Sequence, residues 1–374
     1  MKIIHLASGD LWAGAEVQLF HLASRLVRTT DIKLLVVLLN PGQLADELRT
    51  HGVEVLILDE RVLFGLALLR QFYKTVKEYR PDIIHTHRTK ENVIGGLVAK
   101  LNGCKSVRTV HGASEFAFNA ANVRQVIFRI ADKLAGYLFQ QKIIAVSDEL
   151  KQKLLADYPN AKLTIIPNCV DVSYIENKAN EFCDIPVDTQ LCNIAFVGRF
   201  VPVKRVDIFY DIAKKTIKTF PEKKIFFHML GDGPLQGDIA RKIAADGLEE
   251  RILLHGFVSN TAPLLKRMSL LMFTSDHEGL PMTLLEAMAL GVPVLSRNLP
   301  SIRAVLCNGE CGYVLESDDI QNYVEVISSL ADDDTDAKRR ALSARTKIDD
   351  EYNIEINVEK YLKLYKDVVT IGKR

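Results

Sequence analysis

Two glutamates flank a short turn of glycine, leucine and proline in the second half of the chain. Glu278 directly precedes Gly279-Leu280-Pro281, and Glu286 lies in the helix-like run that follows. Proline suits the first position of a helix, where its missing N–H costs no hydrogen bond, so we expect a helix to begin at Pro281. At 1.5 Å per residue, Glu286 then lies about 7.5 Å along the helix axis. The spacing predicts a helix N-terminus with a carboxylate on each side.

The first N–H groups of a helix have no partner inside the helix, so a helix N-terminus can bind an anion. A diphosphate is the anion that we expect at this turn. Glu278 and Glu286 would repel phosphate, so they would accept hydrogen bonds from hydroxyl groups, one of a sugar and one of a ribose. Each glutamate alone could be a solvent-facing charge, but together with the turn they favour a binding site. The backbone groups expected to bind the diphosphate belong to Gly279, Leu280, Met282 and Thr283.

A basic segment follows the first expected strand of the second half. Gly198 allows a sharp turn of the backbone, because glycine has no Cβ. Arg199 and Lys204, which follow, can converge on one anion through charge-assisted hydrogen bonds. Two cations beside a leaving diphosphate would supply the positive charge that a metal ion supplies in other sites, so we expect no metal cofactor. The alternative is a solvated basic turn.

Histidines occur at the carboxyl ends of expected strands in the first half. His111 ends the strand expected at residues 106–111, where its ring could bond a sugar hydroxyl or simply a peptide group. His85 and His87 are two residues apart and share one face of a strand, which is a weak signal for a metal site. The sequence shows no third ligand near them, so we do not assign a metal.

Three other patterns are better explained by structure than by chemistry. Gly231-Asp232-Gly233-Pro234 lies between an expected strand and an expected helix, where glycine and proline ordinarily mark a turn. The acidic run at residues 332–336 lies far from the other motifs and is expected to be a solvated loop. The six cysteines lack the paired spacing of zinc sites and are expected to be free thiols.

Short β-branched runs alternate with helix-length amphipathic segments, a pattern typical of parallel sheets covered by helices on both faces. At 374 residues the chain is long enough for two such domains. We therefore expect an α/β protein with two facing Rossmann-like, doubly wound domains and a cleft between them. The expected domains are residues 1–176, which bind the acceptor, and residues 192–350, which bind a nucleotide sugar. Residues 177–191 form the linker, and residues 351–374 form a C-terminal helix that could pack back on the first domain.

The charge balance excludes some classes of partner. The chain has 48 basic and 47 acidic residues, which argues against a nucleic-acid binder whose affinity comes from neutralising phosphates. It begins without a signal-peptide pattern, and no apolar run approaches the roughly 20 residues that span a bilayer. The expected location is the cytoplasm.

Charge is nevertheless uneven along the chain. Residues 61–142 contain 14 basic and five acidic side chains. Within them, residues 123–139 mix basic and large apolar side chains, a composition that suits a helix at a membrane surface. The expected partner is an anionic membrane on its cytoplasmic face, with a lipid-linked or otherwise anionic acceptor. A core-facing helix with a solvated basic edge is the alternative.

Taken together, these residues resemble the retaining glycosyltransferase family 4, also called glycosyl transferases group 1, whose fold is GT-B. The resemblance covers most of the chain, and its most diagnostic part is the pair of glutamates. The motifs that carry it are Ala13-Gly14-Ala15-Glu16, Thr109-Val110-His111-Gly112, Val146-Ser147, Ile166-Pro167-Asn168-Cys169-Val170-Asp171, Gly198-Arg199 with Lys204, Gly231-Asp232-Gly233-Pro234, and Glu278 with Glu286.

The resemblance implies a role for each site residue. Arg199 and Lys204 would hold the donor diphosphate, Glu278 would contact the transferred sugar, and Glu286 would bind the ribose. His111 would lie beside the sugar, and the backbone near Gly14 would approach the phosphates. The anomeric configuration would be retained without a protein nucleophile or a divalent metal.

Two positions depart from the family pattern. Cys169 replaces a usual glycine and puts only a turn in doubt. Ala13 replaces the first of two usual glycines and could change how closely the N-terminal loop reaches the phosphates.

The expected function is transfer of a sugar from a nucleoside-diphosphate sugar to a sugar or lipid-linked acceptor, in cell-envelope polysaccharide or glycolipid synthesis. A nucleotide-sugar 2-epimerase of the same architecture is the alternative, and it would turn over without an acceptor. A dehydrogenase is disfavoured because no Gly-x-Gly-x-x-Gly follows the first strand. A non-catalytic binding module is disfavoured because the charged motif residues are all present.

Overall fold

The computed structural model describes residues 1–112, 123–317 and 319–370, which divide into two compact units. The first unit is Met1–Cys169 together with the described part of Ile354–Arg374, and the second is Val170–Asn353. We expected the first domain to extend to residue 176. It ends earlier because the helix Val172–Ala179 packs against the helix Ala262–Leu265 of the second unit.

The first unit contains a seven-stranded sheet in which every strand pair is parallel. The strand order is β3-β2-β1-β4-β5-β6-β7, so the direction of winding reverses beside β1 and β4. In chain order its elements are β1 (Lys2–Ala7), α1 (Gly14–Leu26), β2 (Lys33–Leu38), α2 (Gln43–Thr50), β3 (Glu54–Ile57), α3 (Leu66–Tyr79), β4 (Ile83–His87), α4 (Thr89–Asn102), β5 (Lys105–Val110), α5 (Val123–Leu138), β6 (Lys142–Ala145), α6 (Asp148–Leu154) and β7 (Leu163–Ile165).

The second unit contains a six-stranded parallel sheet with the order β10-β9-β8-β11-β12-β13. Its elements are α7 (Val172–Ala179), β8 (Cys192–Val197), α8 (Val206–Thr219), β9 (Ile225–Leu230), α9 (Gln236–Ala245), β10 (Ile252–Gly256), α10 (Ala262–Leu265), β11 (Leu270–Phe273), α11 (Met282–Ala289), β12 (Val294–Arg297), α12 (Pro300–Val305), β13 (Tyr313–Leu315), α13 (Ile320–Asp332) and α14 (Thr335–Lys347). The edge strand β13 was not predicted from the sequence.

The last helix, α15 (Ile354–Thr370), belongs to the first unit. Near its start, Glu355 accepts two hydrogen bonds from Arg25 Nε of α1, at 2.6 and 2.7 Å. Further along, Tyr361 and Tyr365 are almost fully buried. The last helix therefore contributes side chains to the core of the first, N-terminal unit.

The two faces of the first sheet carry different side chains, because successive residues of a strand point to opposite faces. Ile4 and Leu6 of β1 pack with Phe72 of α3 and Val98 of α4 in a fully apolar cluster. His5, between them, points to the other face, where its Nε2 lies 3.3 Å from the Tyr365 hydroxyl of α15. A polar layer is thus buried on the side covered by α15.

The acidic run at residues 332–336 connects α13 to α14. Asp336 lies in the first turn of α14 and pairs with Arg339 and Arg340 of the same helix. The acidic run is therefore exposed and includes the start of α14.

Among the described residues, no helix is both long enough and apolar enough to cross a membrane.

The Gly231-Asp232-Gly233-Pro234 turn supports the loop that follows β8. The Asp232 carbonyl accepts a hydrogen bond from the Phe200 N–H at 2.6 Å. Gly231 has φ 135°, and a Cβ built on it would lie 2.0 Å from the Gly198 carbonyl oxygen. Glycine is needed here because two backbone segments touch.

We therefore expect Gly231→Ala to destabilise the second unit, because overpacking of this kind costs about 1–3 kcal/mol. Gly247→Ala is the matched control, since Gly247 also has a positive φ (64°) but nothing lies within 4 Å of the Cβ that alanine would add. The free energy of unfolding, measured in urea, should fall further for Gly231→Ala. Equal losses in the two variants would contradict the contact.

Candidate active site

The candidate site lies in the second unit, where the loops after β8 and β11 meet. These strands are parallel neighbours, so their carboxyl ends lie at the same edge of the sheet. Lys204, from the short 3₁₀ helix Pro202–Lys204 after β8, contacts Glu278 from the loop after β11. Its Nζ lies 2.7 and 2.9 Å from the two carboxylate oxygens. A cation and a carboxylate thus form a paired centre at this edge.

Glu278 is held from three directions. It is buried, with 8% of its surface exposed. The Ser275 hydroxyl donates to its Oε1 at 2.6 Å, beside the bond from Lys204. The Ser301 hydroxyl donates to its backbone carbonyl at 3.0 Å. Because both side chain and backbone are fixed, the carboxylate keeps its orientation without a ligand.

Further contacts join the same two loops. The Thr274 hydroxyl lies 3.1 and 3.0 Å from the carbonyl oxygens of Lys204 and Arg205. Asp276 accepts hydrogen bonds from Arg205 at 3.1 Å and from Arg297 at 2.7 Å. Arg205 adopts a left-handed conformation with φ 49°, which costs energy for a residue with a side chain. The surrounding bonds hold that strained turn in place.

Arg199 and Lys204 have different environments, although the sequence suggested two equivalent cations. Lys204 is paired with Glu278, so this pair has no net charge. Arg199 is exposed, just beyond the end of β8. A Cβ on Gly198 would lie 3.9 Å from the Lys204 side chain, so that side chain passes close to the glycine. Arg199 is therefore the cation that is available to an anion from solution.

The helix after Glu278 begins one residue later than expected. Pro281 is extended, with ψ 134°, and caps α11, whose first helical residue is Met282. Leu280 and Met282 bury their side chains, whereas Gly279 and Thr283 are half-buried. The helix N-terminus still follows Glu278 directly, as the spacing predicted.

Glu286 lies in the middle of α11 and is half-buried. Burial raises its pKa to about 7, because the charged form loses solvation. This contrasts with Glu278, whose charge is paired with an ammonium group. The site thus contains two carboxylates in different electrostatic surroundings.

In the first unit, Gly14 and His111 lie beyond the carboxyl ends of β1 and β5. Gly14 is the first residue of α1, and Ala13 caps the helix with φ −138°. That conformation is open to any residue, so alanine in place of the usual glycine causes no backbone strain. Cys169, the other departure, is buried, and its N–H donates to Gln18 Oε1 at 2.9 Å.

His111 belongs to a buried chain of histidines. Its Nε2 lies 3.0 Å from His87 Nδ1, and His87 Nε2 lies 3.0 Å from His5 Nδ1. Burial, then the nearby His87 and arginines, hold the pKa of His111 well below its usual value, so the ring is neutral near pH 7. The sequence interpretation that His85 and His87 lack a third histidine was wrong. His5 pairs with His85 across β1 and β4.

Several residues that shape the site were not found from the sequence. Ser275 lies three residues before Glu278, a spacing that could have signalled a hydrogen bond to it. Ser301 and Arg297 gave no such signal, because only the sheet order brings their loops to the loop after β11. Asp276 lies in that loop, but its partners Arg205 and Arg297 are distant in sequence.

Known proteins resemble both halves of the chain. Residues 12–174 match the family model Glycosyltransferase Family 4, and residues 192–333 match Glycosyl transferases group 1. The UDP-Gal:alpha-D-GlcNAc-diphosphoundecaprenol alpha-1,3-galactosyltransferase of Escherichia coli is 27% identical over 384 residues, which span 99% of this chain and 97% of that protein. The N-acetyl-alpha-D-glucosaminyl L-malate synthase of Bacillus anthracis is 24% identical, over 83% of this chain and 81% of its own.

Solved structures share the fold over nearly the whole chain. HepE of Anabaena in complex with UDP and glucose matches with a TM-score of 0.81 at 19% identity, covering 98% of this chain and 99% of that one. Sucrose-phosphate synthase of Thermosynechococcus elongatus matches with a TM-score of 0.78 at 14% identity, covering 100% of both chains. The fold is therefore the two-domain, Rossmann-like GT-B fold. With both family models matched along its length, the chain belongs to the glycosyltransferases of family 4.

The raised pKa of Glu286 predicts a pH-dependent effect of Glu286→Gln on stability. The folded pKa of about 7 exceeds the unfolded value of 4.5, so the folded state binds the proton more tightly. The stabilisation from this proton is present below pH 4.5 and is lost as pH rises through 7. At pH 8 the free energy of unfolding of Glu286→Gln should therefore exceed that of the wild type by up to a few kcal/mol, at about 1.4 kcal/mol per pKa unit, and its unfolding temperature should be higher.

The difference should shrink towards pH 4.5 in a thermal-unfolding series. Glu222→Gln, at an exposed position of the same unit, is the control and should show no such trend. A pH-independent difference for Glu286→Gln would contradict the assignment.

Proposed function

We propose that this enzyme transfers a hexose from a UDP-linked donor to a lipid-linked saccharide, with retention of anomeric configuration, in cell-envelope glycan synthesis. The observation that carries the proposal is the paired centre of Lys204 and Glu278 beside the N-terminus of α11, with Arg199 exposed next to it. The site combines positive charge for a diphosphate with carboxylates for hydroxyl groups.

In this proposal the diphosphate lies against the N–H groups at the start of α11, near Gly279 and Thr283. The backbone N–H groups are neutral, so the guanidinium group of Arg199 supplies the positive charge that binds the diphosphate. Glu286 accepts a hydrogen bond from the ribose. Glu278 accepts a hydrogen bond from a hydroxyl of the transferred sugar while the Lys204 ammonium group stays paired with it. His111 and Gly14 belong to the first unit, and their roles beside the sugar and the phosphates stay predictions from the family resemblance.

Transfer breaks the bond between the anomeric carbon and the diphosphate oxygen, and the diphosphate leaves with the electron pair. The acceptor hydroxyl forms the new bond and gives up its proton to the leaving diphosphate, whose oxygen has gained negative charge. Stabilisation of the leaving diphosphate is then the main contribution of the protein. Lys204 and Ser275 hold the carboxylate of Glu278 in place and leave it a lone pair for a sugar hydroxyl, which suits a hydrogen-bond acceptor better than an attacking nucleophile.

Two relatives support the donor and the acceptor in this proposal. The name of the Escherichia coli relative specifies UDP-Gal and a diphosphoundecaprenol-linked GlcNAc. HepE of Anabaena has been crystallised with UDP-glucose as well as with UDP. A uridine nucleotide and a lipid-linked saccharide are the donor and acceptor that these relatives favour.

The proposal predicts that Arg199→Ala weakens UDP binding and lowers kcat on the order of 100-fold to 1,000-fold, the loss typical of one electrostatic contact at a leaving group. Lys204→Ala should weaken binding further, because it also leaves the Glu278 charge unpaired beside the diphosphate. Calorimetric titration with UDP measures the affinity. Lys223→Ala is the control, since Lys223 forms a 2.6 Å ion pair with Asp332 in the same unit. Wild-type affinity in both site variants would rule out this donor site.

Turnover is measured in EDTA, because the cations and the helix terminus are proposed to replace a divalent metal. Activity that requires magnesium or manganese would contradict this part of the proposal. Product formation must also require an acceptor. Conversion of the nucleotide sugar to its epimer without one would overturn the transferase in favour of an epimerase.

Helix α5 is the proposed membrane contact. Its buried side carries Asp132, which binds Arg108 at 2.9 Å, and the small residues Ala135 and Gly136. Its large apolar side chains face outward instead, each more than 40% exposed. They are Ile127, Phe128, Ile130, Leu134, Tyr137 and Leu138. This distribution favours an apolar environment on the outer side, and the basic excess of residues 61–142 favours an anionic one.

We expect the protein to float with anionic vesicles in a density gradient and to detach as salt rises. Replacing Ile127, Leu134 and Leu138 by Gln should abolish flotation, because the apolar face then no longer gains by leaving water. Leu342→Gln is the control, since Leu342 is 71% exposed on α14 and lies outside this surface. Equal flotation of the triple variant would exclude α5 as the contact.

A further inference from the structure

Three histidines converge in the first unit, whereas the candidate donor site belongs to the second. His5 on β1 lies opposite His85 in the parallel register of β1 and β4, and His87 follows two residues later on the same face. Each ring offers one nitrogen within 4.8 Å of a nitrogen of each other ring. The third ligand that the sequence did not reveal is thus supplied by a strand about 80 residues earlier, brought alongside by the sheet.

The three rings are buried and neutral. Their exposed fractions are 0%, 0% and 3% for His5, His85 and His87. Burial lowers the pKa of all three, that of His87 to about 3, so none carries a proton on both nitrogens near pH 7. Neutral imidazole is the form of histidine that binds metal ions, and it needs no deprotonation step here.

We propose that His5, His85 and His87 bind one transition-metal ion, with zinc as the best fit. Three imidazole nitrogens with an open fourth position are a common zinc ligand set, whereas magnesium and calcium prefer oxygen ligands. Two nitrogens bound to one tetrahedral zinc at 2.0–2.1 Å lie about 3.3 Å apart. His5 Nδ1 and His87 Nε2 are 3.0 Å apart, so small ring rotations suffice. When the ion binds both atoms, the proton between them moves to the other nitrogen of its ring, so both rings stay neutral.

Neighbouring groups orient the ligands. His85 Nε2 lies 2.8 Å from the Thr109 hydroxyl, so it can donate there and leave Nδ1 for the metal. The Tyr365 hydroxyl lies 2.6 Å from His85 Nδ1 and 3.3 Å from His5 Nε2, beside the open position. Its oxygen would fill the fourth position of the ion. The site would then join β1, β4 and α15.

The ion would also determine which nitrogen of His111 carries a proton. When His87 Nε2 binds the metal, the remaining His87 proton sits on Nδ1 and is donated to His111 Nε2, 3.0 Å away. The proton of His111 is then on its Nδ1. The relevance of the His111 proton to catalysis rests on the proposed function, which assigns His111 to the transferred sugar. The binding of the metal ion does not depend on the proposed function.

The second unit provides a matched control. His228 Nδ1 and His255 Nε2 are also 3.0 Å apart, on β9 and β10, with their rings stacked. His228 Nε2 donates to the Asn193 side chain, so the arrangement resembles the cluster but has two histidines. It should not hold zinc tightly.

The test is metal binding by the full-length protein after dialysis against EDTA. Titration with zinc, and with cobalt as a spectroscopic probe, should give one tight equivalent per chain and a visible cobalt spectrum of low coordination number. His87→Gln and His5→Asn should each weaken zinc binding by at least about 10-fold to 100-fold, and His228→Asn should not. No tight equivalent in the wild type, or unchanged binding in His87→Gln, would overturn the site.

Two further measurements keep the outcome clear. Tyr365→Phe removes only an oxygen, so it should bind zinc more weakly while remaining folded by circular dichroism, even if the histidine variants do not fold. Zinc should raise the melting temperature of the wild type and of His228→Asn by the same amount. Loss of UDP affinity in Arg199→Ala tests the proposed donor site of the second unit without involving the three histidines, so a failure of the zinc site and a failure of the proposed function give different results.

Discussion

The ion pair between Lys204 and Glu278 joins two loops that are 74 residues apart in sequence. It forms because β8 and β11 are adjacent in the sheet, and the remaining contacts of the site depend on that adjacency. The Thr274 hydroxyl bonds at Lys204 and Arg205 run between the same loops. A buried carboxylate without a partner would be costly, so the pair fixes both loops at once.

The two carboxylates at α11, one before the helix and one within it, have different electrostatic surroundings. Glu278, outside the N-terminus of α11, is paired with the Lys204 ammonium group. Glu286, within the helix, has a pKa raised to about 7 because burial is not compensated by a cation. A ligand that brings hydroxyl groups to both would therefore meet one carboxylate paired with a cation and one whose pKa is raised to about 7. The difference comes from packing and not from residue type.

The two faces of the sheet in the first unit bury different kinds of side chain. The side of the sheet covered by α3 and α4 is apolar, whereas the side covered by α15 contains a chain of histidines that ends at His111. Helix α5 reverses the usual distribution, with Asp132 inside and large apolar side chains outside. Arg108 pairs the inward charge of this helix, and an exposed apolar patch of this kind is typical of an interaction surface.

The sequence by itself determined the fold class, the order of most strands and helices, and the positions of Gly198, Glu278 and the start of α11 to within one residue. These features are local, since they follow from hydrophobic periodicity, turn residues and helix-start signals. The short edge strand β13 escaped because three residues give no period to detect. Tertiary structure alone decided that Lys204 neutralises Glu278, that Ser301 and Asp276 support the site, and that His5 completes a cluster with His85 and His87. Each of these contacts joins residues whose distance depends on which strands become neighbours, and strand order is fixed by long-range packing that no local pattern encodes.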